Sequence, residues 1–202
     1  MNLEKSFIEN KKNATQKLNI AKKEKKVDIE ILPILNIINA SENYYTSSSC
    51  FGRTVILEIP SIGNKKEAKF LGKWHRQIDI NELLTALKQA KKGQIWLLSQ
   101  SPIIHIVSKN DIAADKLLKI AISCGFKNSG LKSFGNRIVL EICSTERLDC
   151  PIGEDQNIFC NKDHLELLIN ISNKIIERST NKLFKLEKKL KKDLSTDKLT
   201  KI

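Results

Sequence analysis

The stretch that decides the fold is Tyr44–Ile59, YYTSSSCFGRTVILEI, in which a polar segment runs into an apolar, β-branched one. Thr54–Ile59 is typical of a buried strand, whereas Thr46–Cys50 carries five small polar side chains and predicts a polar turn. The same order recurs at Ser133–Arg137, SFGNR, which leads into IVLEI at an offset of 83 or 84 residues. This echo predicts a duplicated β-α-β unit, and a common type of polar hairpin is the alternative explanation.

Periodicity on both sides of this stretch predicts a mixed, α+β chain. Helices are expected over 3–24 and 28–39, from Asp79 to Gly93 behind a capping box with Glu82, from Asn110 or Asp111 to Gly125, and from about Asp163 onward. Further strands are expected at 69–76, 95–99, 103–108 and 137–143. The fold class is therefore a compact α+β domain, with two β-α-β-type repeats and a long C-terminal helix.

Composition sets the expected domain boundaries. We expect a basic N-terminal segment at 1–26, an α+β core at 27–160, a long C-terminal helix with a basic end at 161–194 and a tail at 195–202. The possible repeats within the core span about 44–109 and 110–153.

The net charge of +12 is concentrated at the two ends of the chain. Residues 1–26 carry eight Lys and three Glu, and residues 182–201 carry eight Lys and three acidic residues, so each end has a net charge of +5. The 155 residues between them carry only +2. A nearly neutral body with two basic ends is typical of a protein that binds a phosphate backbone, and a pair of solvated ends is the alternative.

Several classes of protein are disfavoured by what the sequence lacks. No run approaches the ~20 apolar residues that span a membrane, and no signal peptide is visible at the start. The five cysteines form no C-x-x-C pair and are odd in number, which favours a reducing cytoplasm over a disulfide framework. No zinc-ligand spacing occurs, so no metal is expected. The absence of G-x-G-x-x-G and of a P-loop excludes the usual Rossmann and P-loop signatures.

The polar segment supplies the first group of candidate site residues. Ser48, Ser49 and Cys50 can hold a carboxylate, a phosphate or a base edge, and Arg53 has a planar guanidinium suited to the same anions. A surface loop with an ordinary salt bridge is the alternative. Cys50 acting as a nucleophile would indicate a hydrolase, although a small buried side chain is the commoner role of a cysteine.

Two further segments carry imidazoles. Lys73-Trp74-His75-Arg76 combines two cations with an indole and an imidazole, which together can stack a base, contact phosphate and move a proton. Strand alternation would place His75 on the face of Lys73, and Trp74 on the opposite face toward the core. The segment from Ser101 to His105 brings a second imidazole onto an apolar strand, where a core histidine is the alternative.

Five segments, YYTSSSCFGR, GKWHR, WLLSQSPIIHIVSK, GFKNSG and STERLDCPIG, together resemble the wybutosine-synthesising tRNA methyltransferase family in its archaeal form. The resemblance runs from about Asp28 to Lys189. It implies a compact, non-Rossmann α+β fold of two repeats and the cofactor S-adenosylmethionine. The implied reaction methylates a ring nitrogen of the tricyclic, wyosine-type base next to the anticodon of phenylalanine tRNA. The family's motif is usually Ser-Ser-Cys-Ser-Gly-Arg, and Phe51 stands in place of the serine after the cysteine, while Ser49, Gly52 and Arg53 are retained.

On this hypothesis the candidate residues take distinct roles. His75 is the expected general base and His105 the second candidate. Arg53, Lys73 and Arg76 would hold a tRNA phosphate or the cofactor carboxylate. The remaining members of the expected site are Ser48, Ser49, Cys50, Gly52 and Ser101, of which the two serines would contact the cofactor or the base edge.

The expected partner is the anticodon arm of tRNA(Phe), held by the basic ends of the chain. A non-catalytic tRNA-binding module that assists other tRNA-modifying enzymes is the alternative function. The oligomeric state stays open.

Overall fold

Two antiparallel sheets organise the chain, and the computed structural model describes residues 3–64 and 66–195. The expected tail at 195–202 therefore lies outside the described residues after Ser195. The elements in chain order are α1 (Leu3–Lys23), a 3-10 turn (Ile29–Ile31), α2 (Leu32–Ala40), β1 (Tyr44–Cys50), β2 (Arg53–Ile59), β3 (Lys69–Trp74), α3 (Ile80–Leu87), β4 (Gln94–Gln100), β5 (Ile103–Ser108), α4 (Asp111–Ser123), β6 (Gly130–Ser133), β7 (Ile138–Cys143), β8 (Arg147–Glu154), β9 (Asn157–Ile158) and α5 (Lys162–Ser195).

The described chain divides into two units, and each unit contains one sheet. The first unit takes its residues from 3–51, 102–145 and 180–195 and holds the sheet with strand order β1-β5-β7-β6. The second unit takes its residues from 52–101 and 146–179 and holds the sheet with order β3-β2-β4-β8-β9. The α+β class with a long C-terminal helix is confirmed.

Helices cover both faces of the first sheet. Ile106 is fully buried on one face, where the Tyr44 hydroxyl donates to the Ala113 carbonyl of α4 at 2.8 Å. Neighbouring residues on a strand point to opposite faces, so Tyr45 lies on the other face. There Phe7 of α1 packs against Tyr45 with the ring centroids 5.3 Å apart. The basic N-terminal segment is therefore an integral helix of this unit.

The second unit is built around one apolar core beneath its sheet. Ile56 and Leu97 from the sheet are fully buried, and they pack with Leu83 of α3 and Leu165 of α5. Strands and helices thus share a single hydrophobic cluster, which is the main source of stability for such a unit.

Trp74 packs against this core from β3, as strand alternation predicts. Gly72 makes room for the indole, because a Cβ at this position would lie 2.0 Å from the Trp74 ring. The glycine of the GKW motif is thus explained by packing.

Helix ends follow the predicted capping signals. Asp79 accepts a hydrogen bond from the Glu82 N–H and the Glu82 side chain accepts one from the Asp79 N–H, which completes the capping box of α3. Asn110 accepts a hydrogen bond from the Ala113 N–H at 2.8 Å and caps α4. Helix α3 ends at Leu87 and does not extend to Gly93, whose φ of 101° lies in the turn before β4.

The segment predicted to be a polar turn is strand β1. It pairs antiparallel with β5, from Tyr44 opposite Ser108 to Cys50 opposite Ile103, with a bulge between Thr46 and Ser48. Serine and threonine favour turns because their hydroxyls bond to nearby backbone. Here the apolar neighbouring strand β5 takes up the backbone hydrogen bonds, and tertiary pairing overrides the local preference.

One expected strand is shorter than predicted, and one observed strand was not among those expected. Strand β3 ends at Trp74, so His75 and Arg76 lie in a bend and strand alternation does not determine their direction. Strand β8 was not among the expected strands, and it contains Pro151, a residue that disfavours strands. Pro151 lies opposite Trp96 beside a register shift, where the missing N–H is tolerated.

The repeat boundaries and the duplication stay predictions, and the two echoed segments fall at the β1–β2 and β6–β7 connections. No disulfide joins the five cysteines. Among the described residues, no helix combines the length and apolar character needed to cross a membrane.

Candidate functional site

Four polar side chains form a hydrogen-bonded line across all four strands of the first sheet. Register places Ser48 of β1 opposite His105 of β5, and His105 opposite Glu141 of β7. Ser48 Oγ lies 2.8 Å from His105 Nδ1, and His105 Nε2 lies 2.8 Å from Glu141 Oε2. Lys132 of β6 completes the line, with its Nζ 2.7 Å from Glu141 Oε1. We call these four residues the Ser48–Lys132 line.

Along the line, exposure rises from the partly buried Glu141 to the exposed hydroxyl of Ser48. The side chain of Glu141 is 13% exposed and that of His105 is 30% exposed, while Ser48 lies at the surface. Burial raises the pKa of Glu141, but hydrogen bonds from Lys132 and His105 outweigh it and hold that pKa below its ordinary value. The carboxylate is therefore ionised at neutral pH.

An ionised Glu141 selects the tautomer of a neutral His105. A carboxylate only accepts hydrogen bonds, so His105 Nε2 carries a proton toward Glu141. In that neutral ring Nδ1 is the acceptor for the hydroxyl of Ser48. Serine, histidine and acid in this order form the arrangement that moves a proton from a hydroxyl to an imidazole in many enzymes.

Ser48 opens onto a groove between α1 and β1, which we call the α1–β1 groove. Its volume is about 500 Å³, within the usual range of ligand sites. Its β1 wall contains Ser47, Ser48 and Ser49 with the buried Tyr45, and its other walls include residues of α1 together with Arg137. The predicted serines therefore line a cavity in this structure.

The end of the polar segment is positioned by two backbone features. Cys50 is the last residue of β1, half-buried opposite Ile103. Phe51 is buried, and its N–H donates to the Asp28 carboxylate at 2.8 Å. Gly52 has a φ of 101°, a conformation that glycine adopts without strain. Gly52 thus has a conformational role in the turn into β2.

The second unit places two predicted cations around an exposed aromatic ring. Arg53 donates from Nε to Gln100 Oε1 at 2.8 Å, and its guanidinium carbon lies 5.6 Å from the centroid of Phe70. Lys73 Nζ lies 6.0 Å from the same centroid. Phe70 is 56% exposed. An exposed ring beside two cations suits stacking of a nucleobase.

The remaining predicted residues are less informative. Arg76 donates to both carboxylate oxygens of Glu82, at 2.9 and 2.6 Å, and thereby lowers the pKa of that capping-box acid. In this structure its guanidinium is engaged by the protein. His75 lies in the bend after β3, and Ser101 lies half-buried between β4 and β5. Their roles stay predictions.

The structure thus brings Ser48, Ser49 and His105 together in the first unit, and Arg53 and Lys73 together in the second. Sequence reasoning missed Glu141 and Phe70. Glu141 is a lone acid within an apolar strand, IVLEIC, which could have indicated a buried polar contact. Its partner is visible only once β5 and β7 are paired.

A family model described as methyltransferase TYW3 matches residues 9–192, nearly the whole chain. The chain belongs to this family. Its membership confirms the resemblance to wybutosine-synthesising methyltransferases, and it supports an enzyme over a non-catalytic module.

Curated relatives match this chain along most of its length. A protein of Pyrococcus horikoshii named tRNA(Phe) 7-((3-amino-3-carboxypropyl)-4-demethylwyosine(37)-N(4))-methyltransferase 1 is 43% identical, over 94% of this chain and 97% of its own length. A protein of Methanocaldococcus jannaschii with the same name, apart from the final number, is 45% identical over 86% of this chain and 91% of its own length.

Solved structures of the same fold extend this comparison. The PH1069 protein from Pyrococcus horikoshii matches with a TM-score of 0.90 at 43% identity, covering 94% of this chain and 98% of that one. A hypothetical protein from Aeropyrum pernix matches with a TM-score of 0.71 at 26% identity, over 82% of this chain and 98% of that one. The same fold is therefore also present in a protein that is 26% identical to this chain.

Proposed function

We propose that this chain transfers a methyl group from S-adenosylmethionine to the N4 ring nitrogen of the wyosine-type base beside the anticodon of tRNA(Phe). The names of the curated relatives support this substrate. Because that substrate is a tRNA, the reaction would take place in the cytoplasm. The proposal includes no metal ion.

The observation that carries the proposal is the Ser48–Lys132 line. The acceptor nitrogen bears a proton that must leave as the new N–C bond forms. Ser48 Oγ can accept that proton while its own proton passes to His105 Nδ1, and the ionised Glu141 stabilises the imidazolium that results. His105 is therefore the base that the geometry favours, and His75 stays the second candidate.

The residues of the second unit fit the carboxylate end of the cofactor. Arg53 uses Nε for Gln100, and its two terminal nitrogens make no hydrogen bond among the described residues. A planar guanidinium with free donors can hold a carboxylate in two parallel hydrogen bonds. When bound, S-adenosylmethionine supplies an electrophilic methyl group, and Phe70 offers a ring against which an adenine can stack.

The basic ends would hold the anticodon arm through its phosphates. Lys residues at both ends can release condensed counterions without reading the base sequence. Specificity for one modified base would then come from the site itself, because phosphate contacts position the RNA without identifying it.

The decisive experiment is mass spectrometry of nucleosides from tRNA(Phe) that carries the unmethylated tricyclic base, after incubation with the full chain and S-adenosylmethionine. We expect the base to gain the mass of one CH₂ group. A product unchanged in mass, with intact tRNA and folded protein, would sink the proposal. Calorimetry with S-adenosylmethionine tests the same proposal against a non-catalytic module, which would not bind it.

The three histidines of the chain provide a matched set of variants. His105→Ala should lower the rate by ~10²–10⁴-fold, the usual contribution of a general base. His164→Ala, at the exposed start of α5, should keep the wild-type rate and serves as the control. If His75→Ala lowered the methylation rate and His105→Ala did not, the role of general base would pass to His75.

A further inference from the structure

The α1–β1 groove has an electrostatic character of its own. All its charged lining residues are cations, namely Lys17, Lys26 and Arg137. Lys26 forms an ion pair with Glu24 at 2.7 Å, whereas Lys17 and Arg137 have no ion-pair partner among the described residues. An acid-free cavity with two uncompensated cations attracts anions and repels cationic ligands.

A buried hydroxyl contributes to the same groove. Tyr45 is 3% exposed and lines the groove, and its hydroxyl proton has no acceptor among the described residues, although Arg137 lies beside the hydroxyl oxygen. Burial raises the pKa of Tyr45, and the charge of Arg137 and its hydrogen bond to the hydroxyl oxygen partly offset this rise, so the hydroxyl stays protonated as a donor. Buried polar groups are nearly always paired, so a buried hydroxyl proton that lacks an acceptor beside a cavity points to a ligand that accepts its hydrogen bond.

The other walls complete a surface suited to a nucleotide. Asn13 and the β1 serines offer amide and hydroxyl groups, and Ala14, Leu18 and Ala21 of α1 offer an apolar strip. Phosphates need cations, ribose needs hydrogen-bonding groups and a base face needs apolar contact. All three are present on the groove walls.

We propose that the α1–β1 groove binds a single-stranded RNA segment, the loop nucleotides that flank the methylated base. Lys17 and Arg137 contact the phosphates, and the Tyr45 hydroxyl donates to an oxygen of the same strand. The inference rests on the proposed function and deepens it, because Ser48 of the proton path opens into this groove.

The test measures binding of the full chain to a fluorescent anticodon stem–loop RNA of tRNA(Phe) by anisotropy at several salt concentrations. Lys17→Gln and Arg137→Gln should each weaken binding and make the slope of log K against log[salt] shallower by ~0.7, the value for one single-strand phosphate contact. Lys127→Gln, an exposed lysine of the same unit outside the groove, is the control and should match the wild type. Calorimetric binding of S-adenosylmethionine should be unchanged in all three.

Tyr45→Phe separates a ligand contact from a structural role. It removes only a hydroxyl whose proton has no acceptor among the described residues, so we expect a melting temperature close to or above that of the wild type together with weaker RNA binding. The proposal would be overturned if the groove variants bound RNA with the same affinity as the Lys127→Gln control. It would also be overturned if an RNA duplex without the loop competed for binding as strongly as the stem–loop does, because the groove would then not recognise a single strand.

RNA binding and methylation together distinguish failure of the groove proposal from failure of the proposed methyl transfer. Loss of RNA binding in the groove variants, with no methylation by the wild type, would keep the groove as an RNA site and remove the methyl-transfer function. Normal methylation by the wild type, with unchanged binding in every groove variant, would remove the groove and leave the function intact.

Discussion

Replacing Glu141 with Gln tests how one partly buried carboxylate controls the neighbouring imidazole. The amide keeps the size of the side chain but can donate a hydrogen bond, which reverses the protonation that His105 needs toward Ser48. We expect kcat to fall by roughly 10–10³-fold, within the range of general-base effects, with KM for tRNA unchanged. Steady-state methylation of modified tRNA gives both constants.

Glu146→Gln is the matched control for this prediction. Glu146 has the same 13% side-chain exposure and also pairs with a cation, Arg178, but it lies outside the Ser48–Lys132 line. Its kcat should equal that of the wild type. Equal losses of kcat in the two variants would mean that Glu141 acts only through stability.

Glu141 also makes the stability of the fold depend on pH. Burial raises its pKa, but the hydrogen bonds from Lys132 and His105 prevail and place it below the ordinary value of 4.5. The unfolded chain then binds a proton more readily than the folded one, so the stabilisation is complete above pH 4.5 and is lost as pH falls through the folded pKa. Between about pH 5 and about pH 3, urea midpoints of Glu141→Gln should fall less than those of the wild type. Parallel curves of urea midpoint against pH for the two proteins would contradict this.

At the scale of elements, the close approach of β3 backbone to an indole gives a stability prediction. A Cβ at position 72 would lie 2.0 Å from the Trp74 ring, so Gly72→Ala forces the indole out of its packing against the second core. Overpacking of this kind costs about 1–3 kcal/mol in the free energy of unfolding, measurable by urea denaturation. Gly130→Ala, where a Cβ meets no atom within 4 Å, is the control and should leave that free energy nearly unchanged.

The elements also explain how much the sequence could predict. Helices α3 and α4 were predictable because their signals are local, a capping box at Asp79 and an Asn110 cap. Strand β1 was not, because its serines favour a turn until β5 pairs with them. Strand β8 was hidden by Pro151, which only a register shift accommodates. Local patterns therefore succeed where the stabilising contact is a few residues away.

The same distinction between local and long-range contacts applies to the candidate site. Ser48 and His105 were identifiable as residue types suited to proton transfer, but their contact depends on pairing between strands far apart in sequence. Glu141 joins them only through a third strand. His75 was expected to share a face with Lys73, but β3 ends at Trp74, so strand alternation does not determine the direction of His75.

On the scale of the whole molecule, the basic charge is carried by the helical ends of the chain. Within α5, Lys189 pairs with Asp193 at 3.1 Å and Lys191 pairs with Glu187 at 2.5 Å. Such exposed pairs within one helix contribute little to stability. Their neighbours Lys185, Lys188 and Lys192 are also exposed, which suits them to an external phosphate backbone.

Replacing Lys185, Lys188 and Lys192 together with Gln should therefore weaken tRNA binding without changing the chemistry. Each phosphate contact removed makes the slope of log K against log[salt] shallower by ~0.7–0.9, while kcat at saturating tRNA stays at the wild-type value because none of the three belongs to the proposed proton path. The control replaces Lys88, Lys91 and Lys92, three exposed lysines of the nearly neutral body, and changes the net charge by the same amount. Equal slopes for the two triple variants would show that total charge, and not its placement at the end of α5, governs RNA affinity.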